Sequence, residues 1–289
     1  MPSTHDPASI EPILAVEPEG PDLFQCRQNE PNTSGVLFGG QVLGQGLNAA
    51  MQTVQNRPVH SLHAYFLRRG RITPFVSYKV EATHEGRSFS TRRVTAVQAG
   101  VTLFHMECSF HASEPGFHHE EGPVLSPPDP DTLPSFRELA ERYKDKLTPE
   151  AQQALQHHPP LEIKPIEPER LFHPAAKAVN GFWIRVPSAG DLSPGLQSCA
   201  LAYASDAWLA SAVCLRQGTT LDLKGVVIAS LDHAMWFHAP VRTDAWLYHE
   251  MESPWSGGGR GLARGRFFDR DGRLIASTAQ EVLIRRTAS

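Results

Sequence analysis

Two stretches of the chain repeat one arrangement of apolar and polar positions. Each opens on an apolar run of helical spacing rich in small residues, Gln41 to Val54 in the first and Ser198 to Leu215 in the second. Alternating runs that read as strands follow, and each stretch closes on two strands joined by a tight turn. A strand begins at Ser61 and reaches Leu67; its counterpart begins at Ser230 and reaches His238. Phe89 to Val97 turns at Gln98-Ala99-Gly100 into Val101 to Phe110, and Leu262 to Phe268 turns at Asp271-Gly272 into Arg273 to Ile284. Asp-Gly between alternating runs is a hairpin signal. One long helix and several antiparallel strands, given twice, predict an α+β fold with two tandem halves, each sheet wrapping its own helix. Ala49, Ala50, Ala202, Ala204, Ala207 and Ala210 permit that close approach, so both helices are expected to be buried on more than one face.

Prolines crowd the segment between the halves, from Pro115 to Pro168. One helix, Ser135 to His157, interrupts them and carries well-spread charges, as a surface helix would. The expected organisation is a first half over 1–113, a Pro-rich connector over 114–160 and a second half over 161–289. Gly257-Gly258-Gly259-Arg260-Gly261 lies between strand-like runs and reads as a mobile hairpin loop.

Composition narrows the class. Of 289 residues, 40% are hydrophobic and 20% charged, which is a core-forming balance and excludes a disordered chain. A net charge of −4 gives no support to a nucleic-acid or membrane-surface partner. The polar start from Met1 to Ile10 is not a signal peptide, no run is apolar enough to span a membrane, and Thr287-Ala288-Ser289 is not a peroxisomal address. The expected compartment is the cytoplasm. Cys26, Cys108, Cys199 and Cys214 form no C-x-x-C pair and are expected to be buried free thiols.

Asp206 carries the most chemical information. On a continuous helix it would share a face with Ala202, Tyr203, Leu209, Ala210 and Val213, with no cation among them. A carboxylate in such surroundings pays for desolvation unless something hydrogen-bonds it, and such groups mark functional sites. Ser230 and Gln280 are polar residues within strands expected to be buried, though spacing alone does not bring them to Asp206. Gly44-Gln45-Gly46-Leu47-Asn48-Ala49 fits a loose dinucleotide pattern, yet no strand precedes it and Phe66 stands where an acidic residue belongs. No nucleophile elbow and no H-E-x-x-H motif occurs, so neither a metal nor a bound cofactor is implied. Arg68, Arg69 and Arg71, then Arg87, Arg92 and Arg93, form either a solvated strand face or a phosphate-binding edge.

Several strings then carry a family resemblance. Phe38-Gly-Gly-Gln-Val-Leu-Gly-Gln45, His60-Ser-Leu-His-Ala-Tyr-Phe-Leu-Arg68 and Gly86-Arg-Ser-Phe-Ser-Thr-Arg-Arg-Val94 resemble the first half of the acyl-CoA thioesterase II (TesB-like) family. Tyr203-Ala-Ser-Asp206, Ser230-Leu-Asp-His-Ala-Met-Trp-Phe-His238 and Ala276-Ser-Thr-Ala-Gln-Glu281 resemble its second half. The resemblance implies a double hotdog and hydrolysis of fatty acyl-CoA to free acid and CoA. It also implies a catalytic triplet of Asp206, Ser230 (a Thr in the bacterial prototype) and Gln280. Gly39 and Gly40 before the first helix are expected to bring backbone donors to the thioester oxygen, His63 to lie near the acyl group, and Arg92 and Arg93 to meet CoA phosphates. No carboxylate occurs from Gln41 to Val54, and Ser61 and Cys108 are the expected counterparts of Ser230 and Gln280, so one active site per chain is predicted, in the second half. The other readings are a hotdog hydratase or dehydratase and a non-catalytic acyl-CoA-binding protein. A homodimer or homotetramer is expected, because hotdog sheets associate edge to edge.

Overall fold

In the computed structural model, the structure describes residues 9–32, 35–156, 160–171, 179–216 and 225–286. The first half comprises α1 (Ile10–Leu14), β1 (Val16–Gly20), β2 (Leu23–Cys26), α2 (Gly39–Met51), β3 (Val59–Phe66), β4 (Ser77–Glu85), β5 (Phe89–Gln98) and β6 (Val101–His111). The connector holds α3 (Phe136–Arg142) and α4 (Pro149–Gln156). The second half comprises β7 (Glu162–Pro165), β8 (Val179–Arg185), α5 (Pro194–Ser205), α6 (Ser211–Arg216), β9 (Val226–Ser230), β10 (Asp232–Phe237), β11 (Leu247–Gly257), β12 (Arg260–Phe268) and β13 (Leu274–Arg286).

The strands form one antiparallel sheet in the order β1-β2-β4-β5-β6-β3-β10-β13-β12-β11-β8-β7, with β9 beside β13. The halves therefore join through β3 and β10, where Leu62 faces Met235 and Ala64 faces His233. Each half reads outward from that seam in the same way, which is the predicted duplication. The helices lie on one face, with α2 against α5 and across β4 to β6, and α6 on β11 and β12. Burial of α2 is continuous from Gly40 to Leu47, as its small residues require. The two buried glutamines of α2 are satisfied locally: Gln41 accepts from the Glu30 N–H, and Gln45 accepts from the Tyr78 hydroxyl at 2.6 Å.

Three predicted elements are corrected. The second long helix begins at Pro194, behind a Ser193 cap that accepts from the Leu196 N–H, and ends at Ser205 instead of running on to Leu215. Trp208 adopts a left-handed backbone (φ 62°), which breaks the helix and starts α6 on a new axis. That conformation costs about 1–2 kcal/mol in a non-glycine residue; the indole offsets it by packing 4.6 Å from the Phe136 ring and 5.9 Å from Phe182. The connector helix is also two helices, because Ser135 with Glu138 caps one and Pro149 opens the other; His157 lies outside the described residues. The glycine run is a two-residue turn at Gly258 and Gly259 (φ 58° and 76°), with Arg260 and Gly261 already in β12.

The connector is fastened to the second half. Leu125 and Leu133 cover Trp183, Tyr248 and Phe268 on the sheet face away from the helices. The Trp183 indole N–H donates to Pro128 O, the buried Glu250 carboxylate accepts from the Leu125 N–H, and Arg270 pairs with Asp129 and Asp131. All four cysteines are buried and free.

Candidate active site

Four elements converge at the seam. Asp206 caps the C-terminus of α5 (φ −81°, ψ −15°), Ser230 ends β9, His233 lies on β10 and Gln280 on β13. The first half contributes the N-terminus of α2 and the end of β3, whose Phe66 N–H donates to Leu231 O at 2.9 Å. A break in the second half's inner strand creates this meeting point. Between β9 and β10, Leu231 leaves the regular ladder, and the Asp232 carboxylate replaces a backbone acceptor by receiving the Glu281 N–H at 2.7 Å. The kink turns Ser230 toward α5.

The side chains form one hydrogen-bonded path. Ser230 Oγ donates to Asp206 Oδ1 at 3.1 Å, and Gln280 Nε2 donates to Ser230 Oγ at 2.8 Å. Gln280 Oε1 lies 2.6 Å from His233 Nδ1, and His233 Nε2 lies 2.9 Å from Ser205 Oγ. Gln280, His233 and Ser205 are fully buried, whereas Asp206 and Ser230 are half-buried and form the accessible end. Burial pushes the His233 imidazole below its ordinary range, against the opposing pull of Asp206, so it is neutral at physiological pH.

Asp206 Oδ2 faces α2. It lies 2.6 Å from the place a Cβ on Gly39 would occupy, with the Phe66 ring 3.2 Å from the same point. A Cβ on Gly40 would overlap the Tyr203 carbonyl and the Phe38 ring. Glycine at these positions lets the start of α2 reach α5, so first-turn N–H groups without an intrahelical acceptor stand beside a carboxylate. Phe38 and Tyr203 meet edge to face at 5.0 Å along this wall.

The structure thus brings together Asp206, Ser230, Gln280, Gly39 and Gly40. It places the other three expected residues elsewhere. His63 is exposed on the opposite face of the sheet, edge-on to Trp236 at 5.2 Å. His63-Ala64 and His233-Ala234 look alike in sequence, but a one-residue difference in register turns the two imidazoles to opposite faces. Arg92 is buried and spends all five donors locally, on Thr53 Oγ1, Thr53 O, His84 O, Thr91 O and Glu85. It latches the end of α2 to β4 and β5 and has no donor left for a phosphate. Arg93 points outward and pairs with Glu107 at 2.6 Å. His233 and Ser205 were not singled out from the sequence. His233 alternates with buried Met235 and half-buried Phe237 along β10, and a histidine in phase with an apolar strand face is the available signal.

The ladders explain why the polar path occurs in the second half and not at the matching positions of the first. Counting from the turn glycines Gly100 and Gly272, Cys108 answers to Gln280 and Phe110 to Val282. Val59 faces Phe110 as Ser230 faces Val282, and Leu62 faces Cys108 as His233 adjoins Gln280. Val59, rather than the expected Ser61, is therefore the counterpart of Ser230. The apolar trio Val59, Leu62 and Cys108 stands where the second half has Ser230, His233 and Gln280. Asn48, the polar residue in the middle of α2, ties that helix to Leu14 O.

Comparison with known proteins places this arrangement. The acyl-CoA thioesterase N-terminal domain profile matches residues 28–111, and the acyl-CoA thioesterase C-terminal domain profile matches residues 119–284. The chain belongs to the acyl-CoA thioesterase II family. Mouse acyl-coenzyme A thioesterase 8 is 38% identical over 288 residues, covering 96% of this chain and 88% of that protein. Acyl-CoA thioesterase 2 of Haemophilus influenzae is 34% identical over 252 residues, covering 86% of this chain and 87% of that one. The crystal structure of the acyl-CoA thioesterase II TesB2 from Mycobacterium marinum superposes with a TM-score of 0.78 at 34% identity, covering 97% and 99% of the two chains. The dehydratase domain of PpsC from Mycobacterium tuberculosis shares the fold alone, at 15% identity and a TM-score of 0.51. As in the solved thioesterases of this family, the fold is the double hotdog, and the connector from residue 119 onward falls within the C-terminal domain profile, in keeping with its attachment to the second half.

A second buried histidine lies deeper on the same sheet face. His249 stacks on Phe267 at 3.9 Å, and burial pushes its imidazole down to about 3. Because the folded value lies below the ordinary 6.5, the unfolded chain binds the proton first, and stability is lost as pH falls from 6.5 toward 3. His249→Leu is expected to flatten that acid limb in denaturant titrations; an unchanged slope between pH 6.5 and 4 would count against it.

Proposed function

We propose that the chain hydrolyses fatty acyl-CoA to free acid and CoA through one water activated at Asp206. The observation that carries this reading is the hydrogen-bonded path from Asp206 through Ser230 to Gln280, facing the start of α2 across Gly39. Asp206 is the general base. Its Oδ1 is held by Ser230, leaving Oδ2 to take a proton from water. Gln280 donates to Ser230 Oγ from within the fold and so fixes the hydroxyl that holds Asp206.

As the water oxygen bonds to the thioester carbon, its proton passes to Asp206. Charge then develops on the carbonyl oxygen, where the first-turn N–H groups at Gly39 and Gly40 supply donors already in place. Collapse breaks the C–S bond, and the departing thiolate takes the proton from Asp206, which restores the base. No covalent enzyme intermediate is required.

A hydratase or dehydratase would need an imidazole open to substrate. The buried His233 has both nitrogens engaged and does not offer one. Thiol release followed across acyl-CoA chain lengths tests the proposal. The expected result is turnover with a length optimum; acyl-CoA that binds without releasing thiol at any length would overturn it in favour of a binding protein.

We extend the proposal to a cytoplasmic homodimer or homotetramer. Among the described residues no helix is long and apolar enough to cross a membrane. A monomeric mass in light scattering, or localisation confined to an organelle, would remove the corresponding part.

A further inference from the structure

A carboxamide can exchange its two ends without changing its shape, and the Gln280 amide sits where that exchange matters. Turned over, its oxygen would face Ser230, and the single Ser230 proton would be shared between that oxygen and Asp206. Building on the base assigned above, we infer that His233 is a positioning residue, whose Nδ1–H against Gln280 Oε1 holds the carboxamide in the one orientation that leaves the Ser230 proton for Asp206.

The argument runs from the carboxylate inward. Asp206 accepts only, so Ser230 must donate to it at 3.1 Å. Ser230 Oγ then receives its second bond from an N–H, which makes the Gln280 atom at 2.8 Å the amide nitrogen. The opposite end of that amide is therefore its oxygen, and the His233 atom 2.6 Å away must carry a proton. At the far end, the single Ser205 proton has two acceptors within reach, Ala202 O at 2.8 Å and His233 Nε2 at 2.9 Å. Whichever it favours, Nδ1 keeps its hydrogen. His233 is 1% exposed, and Ser205 and Gln280 are 0% exposed, so solvent does not substitute for either bond. The imidazole touches neither substrate nor water in this arrangement; it acts through Gln280.

Two substitutions separate the two imidazole nitrogens. In His233→Asn the side-chain amide can reach the position of Nδ1 and keep a donor against Gln280, whereas in His233→Gln it reaches toward Ser205 and gives up the Gln280 contact. The expected result is that H233Q lowers kcat by about 5- to 100-fold, the consequence of leaving one buried oxygen unpaired, with KM nearly unchanged. H233N is expected to recover most of the wild-type kcat. Imidazole nitrogen shifts of the wild-type protein provide a readout that needs no variant, and Nδ1 is expected to be protonated. An unprotonated Nδ1, or equal kcat in the folded Gln and Asn variants, would overturn the inference. Should either variant fail to fold, the nitrogen shifts decide alone. Running Asp206→Asn alongside keeps the two assignments apart: activity in that variant removes the base, while its inactivity beside a fully active H233Q removes only His233.

Discussion

Asp206→Asn should lower kcat by about a thousandfold, within the 10²–10⁴ range of a lost general base. Asparagine keeps the size of the side chain and can still accept from Ser230, so the end of α5 has no reason to move. What it removes is the capacity to take a proton at Oδ2, the oxygen that faces Gly39. KM should shift little, because the carboxylate contributes to the transition state more than to ground-state binding. Asp232→Asn is the control, since that carboxylate accepts the Glu281 N–H at the strand break and does not reach Asp206 or Gln280. It should retain turnover. Thiol release above about a tenth of the wild-type rate in folded Asp206→Asn would exclude Asp206 as the base.

Gly40→Ala should give the largest loss of stability. A Cβ there would overlap the Tyr203 carbonyl, a backbone atom of α5 that no rotamer change can withdraw, together with the Phe38 ring. Alanine favours a helix over glycine by up to about 1 kcal/mol, which pulls the other way. Overpacking a closed contact costs about 1–3 kcal/mol and sometimes more, and here the whole of α2 must back away from α5, so the steric term wins. At about 2–4 °C per kcal/mol in a chain of this size, the melting temperature should fall by roughly 4–10 °C. Activity should fall with it, because the same displacement carries Gly39 from Asp206. Gly20→Ala is the matched control, with nothing within 4 Å of the added atom. Equal melting temperatures for the two variants would show that the contact between the helices is loose.

Much of the architecture was legible in the chain because it rests on local periodicity. The repeated order of helix and strands, the turns at Ala99-Gly100 and Asp271-Gly272 and the burial of both central helices each follow from patterns a few residues long. The triplet Asp206, Ser230 and Gln280 could be named through motifs resembling a known family. Bringing the three together needed three elements separated by up to 74 positions in sequence.

The misplaced residues share a physical cause. Strand side chains alternate faces, so one residue of register separates the outward His63 from the inward His233, and sequence similarity around both pointed the wrong way. Arg92 and Arg93 are adjacent for the same reason and face oppositely, one tied to Thr53 and Glu85 within the fold, the other to Glu107 outside it. The break after Asp206 rests on a left-handed Trp208, which no local propensity favours and which packing against Phe136 of the connector makes tolerable. The sequence by itself determined the duplicated α+β plan, the family and the chemical types at the site. Tertiary structure alone decided which histidine turns inward, which way the Gln280 amide faces and which half holds the connected polar side chains, because each depends on register and on contacts between elements far apart in the chain.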